Sequence, residues 1–230
     1  PGHPEIEMTH GVDASSGPLG QGIGQAVGLA LAEQSLKHIY TNSNQIFDHY
    51  TYCLCGDGCL QEGISQEAIS FAGHQKLNKL ILLYDANNVT LDGNLDLSFS
   101  EDVKKRFQAS EWNTLEVKDG NDIEAIDQAI IQAKISTKPT LIMVHTIIGY
   151  GSQNQGTSKV HGAPLGENDG LIAKKSYGYN YGEFEVPEEV KQDFNNTFIK
   201  RGKEAYKQWK EKYDLYCAKN PQEAKFIAST

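Results

Sequence analysis

A chain of 230 residues with 39% hydrophobic and 22% charged residues has the composition of a soluble globular protein, one domain or one domain with an appendage. Twenty-one basic against 30 acidic residues leave a formal charge of −9, which argues against nucleic acid as a partner, and no apolar run approaches the roughly 20 residues that cross a bilayer. Four cysteines are too few for a disulfide scaffold, and no signal-peptide pattern is present, so a cytoplasmic setting is expected. The chain opens at Pro1, without an initiator methionine and inside what reads as a loop, and is expected to be part of a longer protein.

Residues 20–37 read as a helix, with Ile23, Val27 and Leu31 at helical spacing among glycines and alanines. Residues 50–55 read as a short buried strand. Residues 62–76 fit a helix with Ile64, Ala68, Phe71 and Ala72 on one face. A second strand is expected over 79–85 and a third over 112–117, followed by a helix in which Ile123, Ile126 and Ile130 share a stripe. A fourth strand is expected over 140–145. Strands alternating with helices of this length imply crossover connections, hence an α/β fold with a mainly parallel sheet and helices on both faces. Residues 148–168 hold five glycines among Ser, Asn and Gln, a loop long enough to suggest function. Pro187, Glu188 and Glu189 start a further helical segment. In it Val190, Phe194 and Phe198 lie four apart, and Tyr206, Trp209, Tyr213 and Tyr216 form a stripe expected to pack on a neighbouring domain.

Ligands of an open parallel sheet bind beyond the carboxyl ends of its strands. The first strand is followed by Gly56-Asp57-Gly58 and the second by Asp85-Ala86-Asn87-Asn88-Val89. A carboxylate and an amide oxygen are hard ligands suited to Mg²⁺ or Ca²⁺, and Mg²⁺ is often shared between a protein carboxylate and phosphate oxygens. The glycines let the backbone approach a phosphate, with the following helix aiming its positive end at the same place. Alone, the tripeptide is more often a plain turn with a helix cap; Asn87 at the end of the next strand reverses that balance.

Other chemistries are weaker. His38, His49, His74 and His145 read as surface or structural residues, and His10 has no role. Cys53, Cys55 and Cys59 lack the paired spacing of a zinc site and read as buried free thiols. Residues 20–24 lack the third glycine and the preceding strand of a dinucleotide fingerprint. There is no P-loop or nucleophile elbow.

Gly56-Asp57-Gly58 running to Asn87 resembles the thiamine-diphosphate fingerprint, which begins with GDG and ends with NN. Residues 1–5 (PGHPE), 16–22 (SGPLGQG), 56–63 (GDGCLQEG), 148–152 (IGYGS) and 160–165 (VHGAPL) resemble transketolase, in order and over most of the chain. The resemblance implies a diphosphate-binding domain over 1–185, its opening segment missing, and a helical linker over 186–230 leading to a pyrimidine-binding domain. It implies Mg²⁺ or Ca²⁺ on Asp57, Asn87 and the Val89 carbonyl, with Gly58 and His161 on the diphosphate. Gly17 and Leu19 would meet the aminopyrimidine, and Ile148 would pack near the thiazolium. His161 and His3 would face the substrate. Glu62 resembles the family's glutamate in an acid network across a dimer interface, although a glutamate serving only the helix dipole explains it equally well.

The implied activity is transfer of a two-carbon ketol unit from a ketose phosphate to an aldose phosphate, in the pentose phosphate pathway. The enzyme would be a homodimer whose partner subunit supplies the pyrimidine-binding domain, so this chain alone is expected to be inactive. Deoxyxylulose-phosphate synthase, dihydroxyacetone synthase and a non-catalytic cofactor-binding module are the alternatives. The motifs at 1–5 and 160–165 weigh against the first of these.

Overall fold

The computed structural model describes residues 4–40 and 43–228. Four strands, β1 (Thr51–Gly56), β2 (Leu80–Ala86), β3 (Asn113–Val117) and β4 (Thr140–His145), form one all-parallel sheet in the order β1-β2-β4-β3. Helix α1 (Gln21–Ile39) precedes β1. Helix α2 (Gly63–His74) links β1 to β2, α3 (Val103–Ala109) lies between β2 and β3, and α4 (Ile123–Lys134) joins β3 to β4.

Both central strands are buried on their two faces, as a parallel sheet covered by crossover helices requires. Leu80, Leu82 and Tyr84 of β2 face one core with Ile23 and Val27 of α1, Ile69 of α2 and Phe107 of α3. Ile81 faces the other core with Ile142 of β4 and Ala129 and Ala133 of α4. Helices therefore cover both faces, as expected.

The strands begin and end within a residue of their expected bounds; the helices differ more. On α2 the buried positions are Ser65, Ile69, Ala72 and Gly73, whereas Ile64 and Phe71 are exposed. The helix is rotated because Gly73 is pressed on the turn before β3. A β-carbon there would lie 1.7 Å from the Ser110 carbonyl oxygen. On α4, Ile126 and Ile130 of the expected stripe pack against the core beside the buried Ala129 and Ala133, whereas Ile123 is 78% exposed. Helix α3 has an evident signal in retrospect: Asp102 caps it by accepting the Lys105 N–H at 3.1 Å. Helix α5 (Gly166–Ser176) begins inside the glycine-rich stretch expected to be loop. Trp112 precedes β3, its indole N–H donating to the Ile69 carbonyl at 2.9 Å.

The chain divides into two compact units, residues up to 32 with 49–177, and 33–48 with 178 onward. The second contains α6 (Glu188–Phe194), a π-helical turn (Asn195–Ile199), α7 (Lys200–Lys219) and α8 (Pro221–Ile227). Its core is formed by Tyr40, Ile46 and Tyr216, with Tyr213 packed against it, and the Trp209 indole donates to the Ile46 carbonyl at 3.0 Å. Tyr213 and Tyr216 of the aromatic stripe thus pack with the chain's own 36–47 segment and Trp209 bonds to it, while Tyr206 is exposed. Val190, Phe194 and Phe198 are exposed as well. Among the described residues, no helix is long and apolar enough to cross a membrane.

Glu116 of β3 ties three elements together. Its carboxylate meets Lys104 of α3 at 2.6 Å, His145 of β4 at 2.8 Å, and Lys118. The Lys104 and Lys118 bonds hold it down at about 2, well below its ordinary 4.5. A carboxylate depressed in the folded state stabilises fully above its unfolded value and loses that contribution as pH falls through its folded one. Glu116→Gln should therefore lower stability at neutral pH by about 1 kcal/mol, the upper end for a largely solvated network. The gap from the parent should close between pH 4.5 and about 2, measured by urea unfolding across that range.

Candidate functional site

β1 and β2 pair in register with Gly56 opposite Asp85, so the residues that follow each strand emerge at one edge of the sheet. Asp57 comes first after β1 and opens a short 3₁₀ turn (Gly58–Gln61) that leads into α2. It is only 2% exposed. One of its oxygens, Oδ1, accepts the Tyr84 hydroxyl, and Oδ2 accepts the Asn88 N–H at 3.2 Å. Asn88 supplies that N–H from the left-handed region, at φ 61°, which asparagine tolerates better than most residues.

Asn87 Oδ1 accepts the Val89 N–H at 3.0 Å, which folds the 87–89 segment into a tight turn, and Val89 is buried. Asp85 accepts the Thr146 hydroxyl and lies 3.4 Å from the Asn87 amide nitrogen, which donates to it. Burial pushes the Asp57 carboxyl above its ordinary value, against the lowering effect of its bonds from Tyr84 and Asn88. Burial, reinforced by the bond to Asp57, also pushes the Tyr84 phenol up. Among the described residues Asp57 has no basic ion-pair partner. A desolvated carboxylate held only by neutral donors, beside an amide oxygen and a backbone carbonyl, is chemically suited to a hard divalent cation.

The loop before α1 closes over the same turn. A β-carbon at Gly58 would lie 3.2 Å from Leu19 Cδ1. Gly20, at φ +82°, packs so closely on α2 that a β-carbon would lie 2.7 Å from Ser65 Oγ and 2.9 Å from Glu62 Cβ. Leu19, Gly58 and Glu62 therefore belong to one neighbourhood, whereas Gly17, with no atom within 4 Å of an added β-carbon, is exposed, as is Leu19. Glu62 stands at the N-cap of α2, but its side chain makes no capping hydrogen bond and is exposed.

Ile148 and His161 form a second neighbourhood. A β-carbon at Gly149 would meet Val160 Cγ2 at 2.6 Å, so the turn after Ile148 rests on the residue before His161. His161 is half-buried; its Nδ1 is shielded from solvent and has no hydrogen-bond partner among the described residues. A cavity of about 680 Å³ beyond β2 and β4 is lined by Asn87, Val89, His145 and Gly156, among others. Asp57, Gly58 and His161 do not line it. His3 lies outside the described residues.

Two residues escaped the sequence analysis. Tyr84, the polar end of an otherwise aliphatic stretch of β2, underlies Asp57; that change of character was the available signal. Arg106 donates to the Leu60 carbonyl at 3.3 Å, bracing the 3₁₀ turn from α3, and nothing in its local sequence singles it out. Of the three cysteines expected to be buried free thiols, Cys53 and Cys55 are buried, and burial pushes Cys53 up to about 11, whereas Cys59 is partly exposed.

Fold and site together define a class: a parallel α/β domain with oxygen donors and backbone N–H groups gathered beyond its strand ends, where such domains bind phosphorylated ligands. Comparison with known proteins makes this particular. The family model described as "Transketolase, thiamine diphosphate binding domain" matches residues 1–230, and the chain belongs to that family. It is 52% identical over 224 residues to a transketolase of Streptococcus pyogenes serotype M6, covering 96% of this chain and 31% of that protein. It is 51% identical over 220 residues to the transketolase of Bacillus subtilis strain 168, covering 94% of this chain and 33% of the relative. The solved transketolase from Leishmania mexicana superposes with a TM-score of 0.93 at 44% identity, over 99% of this chain and 35% of that one. A Pichia stipitis transketolase solved in complex with sedoheptulose 7-phosphate superposes with a TM-score of 0.91 at 41% identity, over 97% of this chain and 34% of that one. The chain thus spans about a third of the length of the relatives it matches.

Gly20 gives a direct test of the loop's seat on α2. Gly20→Ala should cost about 1–2 kcal/mol from left-handed strain alone, with the contacts to Ser65 and Glu62 adding to it. Gly17→Ala, where no atom lies within 4 Å of the new β-carbon, should leave urea unfolding nearly unchanged.

Proposed function

We propose that this chain is the cofactor-binding part of a transketolase, an enzyme that moves a two-carbon ketol unit between sugar phosphates. The observation that carries the reading is the buried Asp57 carboxylate beside Asn87 and Val89, beyond adjacent strands of a domain in the thiamine diphosphate binding family. In this reading Asp57, Asn87 Oδ1 and the Val89 carbonyl hold Mg²⁺ or Ca²⁺, which neutralises the diphosphate. The Gly58 N–H and the His161 imidazole bind the diphosphate oxygens; the unsatisfied Nδ1 of His161 fits a group that acquires its partner from a ligand.

Gly17 and Leu19 meet the aminopyrimidine ring through their backbone. Ile148 lies beside the thiazolium and keeps water from it. Thiamine diphosphate, when bound, supplies the carbanion-stabilising chemistry that breaking and remaking a bond next to a ketone carbonyl demands. The protein's part is to hold, orient and exclude water, and to move protons. His161 faces the reacting centre and His3 the donor hydroxyls, imidazoles being suited to proton transfer near neutral pH. Glu62, exposed and free of a capping role, is available to an acid network across a dimer interface.

Residues 1–185 form the diphosphate-binding domain in this reading, and 186–230 lead toward a pyrimidine-binding domain. That second domain, from the partner subunit of a cytoplasmic homodimer, completes the cofactor's surroundings. Two Pichia stipitis transketolases, solved with sedoheptulose 7-phosphate and with xylulose 5-phosphate, support ketose phosphates as substrates. The relatives named transketolase at 51–52% identity favour this activity over that of dihydroxyacetone synthase.

In the complete enzyme, Asp57→Ala and Asn87→Ala should each weaken Mg²⁺-dependent cofactor binding by about 100-fold or more, beyond the 10- to 100-fold typical of residues that only support metal ligands. His161→Ala should lower both cofactor affinity and turnover, whereas His3→Ala should lower turnover far more than affinity. Cofactor titration beside a ketol-transfer assay with xylulose 5-phosphate and ribose 5-phosphate separates these outcomes. Wild-type affinity in Asp57→Ala would show the site to be wrongly placed. On the 230-residue chain alone, calorimetry should find inorganic pyrophosphate with Mg²⁺ binding nearly as tightly as thiamine diphosphate, without sugar turnover.

A further inference from the structure

We propose that Tyr84 is a positioning residue for the Asp57 carboxylate, setting the orientation in which it meets a divalent cation. The inference rests on the reading of Asp57 as a cation ligand and goes beyond it by naming what aims that ligand. Tyr84 is 3% exposed and stands on β2 opposite Cys55, the residue two before Asp57 on β1. Its ring is wedged in the core that contains Leu60, Leu82 and Phe107, so it has little freedom to swing. Its hydroxyl donates to Asp57 Oδ1, while the Asn88 N–H holds Oδ2 at 3.2 Å. The two donors come from the same strand and the turn that ends it, and they engage different oxygens. Rotation of the carboxylate about its last side-chain bond would break both contacts.

Each oxygen keeps a further lone pair for an incoming ligand. The cost of this arrangement is the desolvation of a carboxylate buried against an aliphatic core with neutral partners only. Stability alone does not account for the pair; a requirement for a fixed carboxylate does.

Orientation matters unequally to the two candidate ions. Mg²⁺ demands near-ideal octahedral geometry, whereas Ca²⁺ accepts variable coordination at longer distances. Removing only the hydroxyl should therefore penalise Mg²⁺ more than Ca²⁺, and a general loosening of the fold would penalise both alike. The experiment titrates Mg²⁺ and Ca²⁺ into the full chain with saturating thiamine diphosphate, by calorimetry, for the parent, Tyr84→Phe and Asp57→Asn.

In Tyr84→Phe, Mg²⁺ affinity should fall by about tenfold, the low end of the range for residues that orient metal ligands, and Ca²⁺ affinity by about threefold or less. Equal losses for the two ions, or unchanged Mg²⁺ affinity, would overturn the role of Tyr84 while leaving Asp57 as a ligand. Parent-like affinity in Asp57→Asn would overturn the cation site and this proposal together. Should Tyr84→Phe fail to fold, ¹³C-tyrosine spectra of the parent give an independent reading. The Tyr84 ring signal should move on Mg²⁺ addition and stay still in Asp57→Asn; a signal indifferent to Mg²⁺ in the parent would also overturn the proposal.

Discussion

Because β1 and β2 run parallel with Gly56 opposite Asp85, both strands end at the same edge of the sheet, and Asp57 is delivered beside the turn at 87–89. Much else in the molecule follows from that register. A slip of one residue would turn Tyr84 to the opposite face of β2 and leave the Asp57 carboxylate without its hydroxyl donor. The 3₁₀ turn after Asp57 depends on the same placement. Its carbonyls are taken by Ser65 at 2.6 Å, Gln66 at 2.6 Å and Arg106 at 3.3 Å, groups contributed by α2 and α3. The loop carrying Gly17 and Leu19 is seated in turn on the first residues of α2.

Two carboxylates show how one sheet maintains opposite electrostatic environments. Glu116, near the end of β3, is ringed by Lys104, Lys118 and His145 and is held far below its ordinary value. Asp57, after β1, is buried among neutral donors and is raised. The first is a satisfied ion-pair network that ties strands to a helix. The second is a desolvated carboxyl held by a hydroxyl and a backbone N–H, with no ion pair among the described residues to offset its burial. The two-sided core, with Phe107, Leu141 and Ile142 wholly buried, supplies the stability that offsets such a site.

The fold was legible wherever burial is continuous. β2 and β4 stand out as apolar runs because parallel strands are covered on both faces, and their bounds came out within a residue. Helix faces were less legible, since they depend on how closely each helix approaches the sheet. Gly73 lets α2 touch the 110 turn and rotates Ile64 and Phe71 outward, and on α4 Ala129 and Ala133 are buried with Ile126 and Ile130 beside them while Ile123 is left exposed. The first residues of helix α5, 166–168, read as loop because they are polar and open with a glycine. The gathering of Asp57 with Asn87 was visible in the strand-end pattern; Tyr84 was not, because a tyrosine in a buried strand is ordinary until its hydroxyl is seen to have a partner.

By itself, the sequence determined the alternation of strands and helices, the parallel sheet and the order of motifs that places this chain among transketolase cofactor-binding domains. These are properties of local composition and spacing, which chain order preserves. Only the tertiary structure decided which donors meet at Asp57, that Gly20 is locked against α2, that His161 Nδ1 is buried without a partner among the described residues, and that Tyr213 and Tyr216 of α7 pack with residues 36–47. Those contacts join residues far apart in the chain, with Trp209 and Ile46 separated by 163 positions. Their geometry comes from strand register and helix approach, which emerge only when the whole chain is packed.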